Sequence, residues 1–87
     1  MYKITPYTLK KAKALGLTVI PSKKANKKID VFEDGVYLAS VGHSSYKDYG
    51  MYLQEGDKKQ AEERRRLYHL RHKKRTLPER LAGSLLW

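Results

Sequence analysis

The sequence predicts an α+β domain, a small three-stranded antiparallel sheet with a central Asp-Gly hairpin, packed by an N-terminal helix and a long basic C-terminal helix. Two observations carry that class. Asp34-Gly35 joins two runs rich in β-branched and aromatic residues, 29–33 and 36–41, and this is the strongest short-range hairpin signal. Residues 58–74 contain no Gly, Pro or β-branched residue, so nothing local interrupts a helix there. Size is consistent with one domain: a chain of 87 residues buries only about 60% of its unfolded surface, so its core is small.

In chain order, Thr5-Pro6 is a helix start, because Thr caps free amides and Pro at the first helical position gives up a donor that has no partner. The helix runs to Leu15 and stops at Gly16, a residue suited to the left-handed cap. Residues 17–20 read as a short edge strand ended by Pro21, and residues 22–28 read as a basic loop. After the hairpin, Gly42-His43-Ser44 breaks the sheet. Ser45 with Asp48 forms a variant capping box for a helix over 46–55, closed by Gly56. Asp57 with Gln60 caps the long helix, which Leu77-Pro78 ends because Pro disfavours helix at the residue before it. The expected organisation is one domain over 1–77 and an apolar tail, 78–87. A free Leu-Leu-Trp end is unfavourable in water, so the tail is expected to dock on this domain or on a partner.

Composition excludes several classes. Nineteen Lys and Arg oppose nine Asp and Glu, a formal charge of +10, while seven Tyr, one Trp and one Phe supply apolar bulk that a disordered basic tail lacks. The absence of Cys removes disulfides, thiolate zinc sites and cysteine catalysis. Mean hydropathy is −0.73 and no apolar run approaches the ~18 residues of a membrane span, so no membrane partner is expected. The first residues lack the apolar stretch of a signal peptide, which points to an intracellular protein or one packed into a particle assembled in the cell. The expected partner is polyanionic.

The densest chemistry lies in residues 64–75, where seven of twelve positions are Lys or Arg. At 100° per residue, Arg64, Tyr68, Arg71 and Arg75 fall within roughly 60° of one another. Leu67 and Leu70 lie on another side and are the core candidates. Arg forks pair with phosphate oxygens and Tyr can stack on a base. The plain alternative is a solvated face on which Glu62 and Glu63 pair with Arg65 and Arg66. Those pairs use only the first turns and leave residues 71–75 without acidic neighbours, so the polyanion surface is favoured. Lys74 belongs to the same cluster. A second basic group, Lys23, Lys24, Lys27 and Lys28, precedes the hairpin. His69 and His72 are three apart, yet the cations around them oppose a metal ion. Asp30, Glu33 and Asp34 offer no defensible catalytic spacing, no nucleophile motif or phosphate-binding Gly loop is present, and no cofactor is expected. Tyr46, Tyr49 and Tyr52 recur at intervals of three and suit packing against the domain or against another protein.

Tyr2-Lys3-Ile4, the run from Lys28 to Gly35, Tyr46-Lys47-Asp48-Tyr49, Arg64-Arg65-Arg66-Leu67-Tyr68 with Arg71-His72, and the terminal Leu85-Leu86-Trp87 together resemble a family of small, basic, uncharacterised proteins encoded by large double-stranded DNA viruses of eukaryotes. The resemblance spans nearly the whole chain. Family members often carry a segment rich in Gly and aromatics before the Leu-Trp end, and residues 80–84 here lack the aromatics. With no family activity established, the resemblance implies context alone: a viral protein, in the virion or the infected host cell.

Two functions are therefore expected to compete. The leading one is a non-enzymatic protein that binds nucleic acid, DNA over RNA, through phosphate contacts with little sequence specificity, using Arg64, Tyr68, Arg71, Lys74 and Arg75 with Lys23, Lys24, Lys27 and Lys28. The other is a minor structural protein that cements acidic virion proteins through Tyr46, Tyr49, Tyr52, Leu85, Leu86 and Trp87, with the apolar anchor supplying affinity and the charge orienting docking.

Overall fold

The computed structural model describes residues 2–87. It is an α+β fold of helices α1 (Pro6–Leu15), α2 (Tyr49–Gln54), α3 (Lys58–Arg71) and α4 (Leu77–Leu85) with strands β1 (Thr18–Pro21), β2 (Lys27–Glu33) and β3 (Val36–His43). The strands form one antiparallel sheet in the order β1-β2-β3.

Local chemistry explains most boundaries. Thr5 caps α1 by accepting from the Thr8 amide at 3.3 Å, and Gly16 ends it at φ 71°. The register aligns Val31 with Ala39 and Ile29 with Val41, which puts all four side chains on one face, where they are buried. Ala12 of α1, Leu81, Ala82 and Leu85 of α4, and Leu86 complete the same core. Burying a leucine of this kind contributes about 2 kcal/mol. On the other face of the sheet, the Lys24 Nζ donates to the Tyr37 hydroxyl at 2.9 Å and the Ser40 hydroxyl donates to Asp30 at 2.5 Å.

Beyond shifts of one residue, such as β1 running Thr18–Pro21 with Pro21 paired to Ile29, four boundaries differ from the sequence reading. Lys27 and Lys28 belong to β2 rather than to a loop, and β3 continues through Gly42-His43. Gly42 adopts φ +82°, and a Cβ there would lie 2.7 Å from Leu86 Cδ1, so both backbone and packing require glycine. Helix α2 begins at Tyr49, capped by Asp48 and not by Ser45, because the Asp48 carboxylate accepts from the Met51 amide at 3.0 Å. Helix α3 ends at Arg71, three residues early, with His72 extended and Lys74 at φ 55°; no local breaker acts there, and the turn brings α4 back to the sheet.

The largest difference lies in residues 77–87. Pro78 starts a helix instead of stopping one: Thr76 caps α4 by accepting from the Glu79 amide, with Pro78 in the first turn. The helix is latched at its far end. The Thr8 hydroxyl donates to the Leu85 carbonyl at 2.8 Å, and the Tyr49 amide donates to the Leu86 carbonyl at 3.0 Å.

The interior also holds a polar knot. Lys28 and Asp48 form an ion pair at 2.8 Å with side chains 3% and 0% exposed. The Tyr2 hydroxyl donates to the same carboxylate oxygen at 2.6 Å, and the Lys28 ammonium lies 5.1 Å from the Tyr2 ring centre. Burial, and then the bond to Asp48, push the Tyr2 phenol well above its ordinary range. The knot ties the N-terminal segment, β2 and α2 together.

Candidate nucleic-acid interface

Helix α3 meets the body of the protein through Ala61, fully buried, and Arg65, whose guanidinium lies 4.8 Å from the Tyr49 ring centre. These positions recur at helical spacing, and Tyr68 and His72 continue them. Arg64 and Arg71 stand at the edge of that docking face. Latched by its neighbours, the chain end delivers Trp87 to the same place, where its ring stacks on Tyr68 at 4.7 Å and 9°. The His72 ring stacks on Tyr68 at 4.1 Å and 23°. Tyr52 approaches Trp87 at 6.4 Å.

Beside this column runs a groove of about 700 Å³. Its walls come from the start of β2, the end of β3, the segment leading to α2, helices α2, α3 and α4, and the chain end. Lys27, Lys47, Arg64 and Arg71 line it together with the buried Lys28, with Tyr46, Tyr52, Tyr68, His43, His72 and Trp87 as its ring surfaces. His43 and Tyr46 form a second aromatic pair at 5.2 Å. Three of the 19 Lys and Arg form ion pairs among the described residues: Lys28 with Asp48, Lys47 with Glu55 and Arg66 with Glu63. Lys27, Arg64 and Arg71 therefore present unpaired charge to the groove, whose lining includes one acidic side chain, Glu79. Burial in the stack, and then Glu79, raise the Tyr68 phenol above its ordinary range. Tyr68 remains a neutral ring at physiological pH.

The residues singled out by sequence are placed unequally. Arg64, Tyr68 and Arg71 meet at the groove, and Lys27 joins them from β2. Arg75 does not continue their stripe, because α3 has already ended. Lys74 turns away, its stem against Gly83. Lys23 and Lys24 are exposed away from the groove, and Lys24 is held on the open sheet face by Tyr37. Lys28 is 2% exposed and neutralised by Asp48, so it cannot meet a phosphate. Leu70 is 72% exposed, not core, because it lies half a helical turn away from Ala61. Leu67 is half-buried.

Nor do the aromatic residues form one face. Tyr46 precedes α2 and is exposed, Tyr49 is buried with its hydroxyl donating to Glu62, and Tyr52 faces Trp87. Leu85 and Leu86 are 0% and 1% exposed and belong to the chain's own core. Of the proposed protein anchors, Tyr46, Tyr52 and Trp87 keep accessible surface, and all three line the groove.

Sequence reasoning missed Lys47, His43 and Glu79 as groove residues, and did not join Trp87 to Tyr68. Thr76, Pro78 and Glu79 repeat the start signal already recognised at Thr5-Pro6, and that signal would have folded the chain end back.

Among the described residues, no group of three or more His, Asp or Glu side chains is placed to hold a metal ion, and no helix is long and apolar enough to cross a membrane. Neither protein-family models, nor curated proteins, nor solved structures provide a match to the chain.

Proposed function

We propose that the protein is a non-enzymatic nucleic-acid-binding module that holds the phosphate backbone with little sequence specificity. The observation that carries this reading is the convergence of Lys27 from β2 with Arg64 and Arg71 from α3 around one groove, none of them in an ion pair among the described residues. Cations left without acidic partners beside a concave surface attract a polyanion, and counterion release from the nucleic acid supplies the affinity. Arg presents its donors as a fork that fits phosphate oxygens. A viral setting, in which the protein lies beside packaged or replicating DNA, fits this role. The cementing alternative loses its main support, since Leu85 and Leu86, which would anchor a partner, are used inside the chain's own core.

The test is binding of labelled oligonucleotides across a salt series, with Arg64→Glu/Arg71→Glu compared against Lys58→Glu/Lys59→Glu. Both pairs make the same change in net charge, but only the first alters the groove. The expected result is a fall in affinity of more than about tenfold for the groove variant and a log–log salt slope shallower by about two. Equal losses in the two variants would show that net charge alone drives binding and would overturn the site.

A further inference from the structure

We infer that the groove is built for an unpaired strand, one whose bases stack against the aromatic column while Lys27, Arg64 and Arg71 hold the flanking phosphates; this deepens the nucleic-acid reading above and rests on it. A surface that only met duplex phosphates would need cations and no rings. Here the rings are part of the lining. His72, Tyr68 and Trp87 stack nearly parallel, at 4.1 Å and 4.7 Å between centres, and the column runs from half-buried Trp87 to exposed His72. A further flat ring can extend such a column with the same geometry, and every base has a face that serves.

A duplex cannot use this arrangement. Its bases are paired and stacked inside, and only their edges reach the grooves. The volume of about 700 Å³ is of the size that encloses a small flat ligand, which suits a base splayed from a single strand. His43 and Tyr46 form a second ring pair in the same groove, so bases have more than one surface to meet. Charge placement is complementary: the cations stand beside the rings, as a backbone requires when its bases turn inward.

Trp87 is the only tryptophan of the chain, so its emission reports on the column directly. The experiment titrates the intact protein with four fluorescence-silent probes of equal length: single-stranded DNA, RNA of the same sequence, the corresponding DNA duplex, and a DNA strand with abasic sites replacing every base. Single-stranded DNA and RNA are expected to bind alike, to quench or shift Trp87 emission, and to bind about tenfold more tightly than the abasic strand. The salt slopes of the base-bearing and abasic strands should coincide, since their phosphates are equal. His72→Ala removes an exposed ring without opening the core, and should weaken single-strand binding about fivefold while leaving abasic binding unchanged. Equal affinity of abasic and base-bearing strands, or tighter binding of the duplex, would overturn the inference and leave the phosphate reading standing. Failure of every probe to bind at low salt would overturn that reading as well.

Discussion

Lys27 and Lys28 are neighbours in β2, yet they serve two regions with opposite logic. Lys28, Asp48 and Tyr2 form a closed knot in which charges and donors are matched and water is excluded. Lys27 joins Arg64, Arg71 and an aromatic column around an open groove, and none of these three cations is in an ion pair among the described residues. Both combine cations with aromatic rings. They differ in whether the cation is held in an ion pair with an anion of the chain. Where Asp48 pairs with the lysine, the cluster holds three segments of the fold together; where Lys27, Arg64 and Arg71 have no ion-pair partner among the described residues, the cluster is available to an external anion.

The comparison is broken most severely at Asp48. Asp48→Ala leaves the Lys28 ammonium buried and unpaired and removes the α2 cap, so a loss of about 3–5 kcal/mol is expected. Urea denaturation measures it. Should that variant not fold, Lys28→Met combined with Asp48→Leu provides the second reading: the double change should cost less than the sum of the two single ones, because it leaves no orphaned charge. Arg71→Ala is the matching change in the groove. Its exposed side chain has no partner, so stability should stay within about 0.5 kcal/mol while nucleic-acid affinity falls.

Leu85→Ala follows in size. It opens a cavity where α4 meets the sheet and should cost about 2–5 kcal/mol by the same denaturation measurement. It also tests whether the groove depends on the core, since Leu85 and Leu86 deliver Trp87 to Tyr68. Altered Trp87 emission in the folded variant is the expected sign of that dependence.

Tyr2→Phe sharpens the contrast with a smaller change. It removes one hydrogen bond to a buried carboxylate, at about 1–3 kcal/mol. It should also alter the alkaline limb of stability. An unfolded tyrosine ionises near 10.0, whereas folding holds Tyr2 protonated to higher pH through burial and the Asp48 bond. Its contribution is therefore complete below pH 10 and is lost as pH rises beyond it. Thermal melts between pH 9 and pH 11 should show a steeper decline for the wild type than for Tyr2→Phe; parallel declines would mean that Tyr2 is not protected in the fold.

Why was one region easier to read in the sequence than the other? The α+β class, the Asp34-Gly35 hairpin and the caps at Thr5 and Asp57 depend on residues close in sequence, and all are present. Arg64, Tyr68 and Arg71 share a helical face, so their grouping was legible from spacing alone. The neutralisation of Lys28 was not, because its partner lies 20 residues away and nothing local distinguishes it from Lys27. The Trp87 stack was hidden for a different reason. Pro78 can stop a preceding helix or start a following one, and only Thr76 and Glu79, read together with it, favour the start.

The finest test concerns His69, whose ring meets Tyr68 edge-on at 5.5 Å. Burial, followed by the nearby Lys74, lowers its imidazole below the ordinary 6.5; Arg65 and Lys11 act in the same direction, and a hydrogen bond to the Trp87 backbone opposes them. Its Nδ1 is buried without a partner. The folded protein thus prefers neutral His69, while the unfolded chain takes up a proton near pH 6.5. The associated stability is complete above that pH and is lost as pH falls through the lower folded value. Melting temperature should therefore decline between pH 7 and pH 5, and His69→Gln, which cannot take up the proton, should reduce the decline. The charged side chains that act on His69, namely Lys74, Arg65 and Lys11, are all cations and favour the neutral imidazole. An unchanged decline in His69→Gln would assign the acid sensitivity to another group.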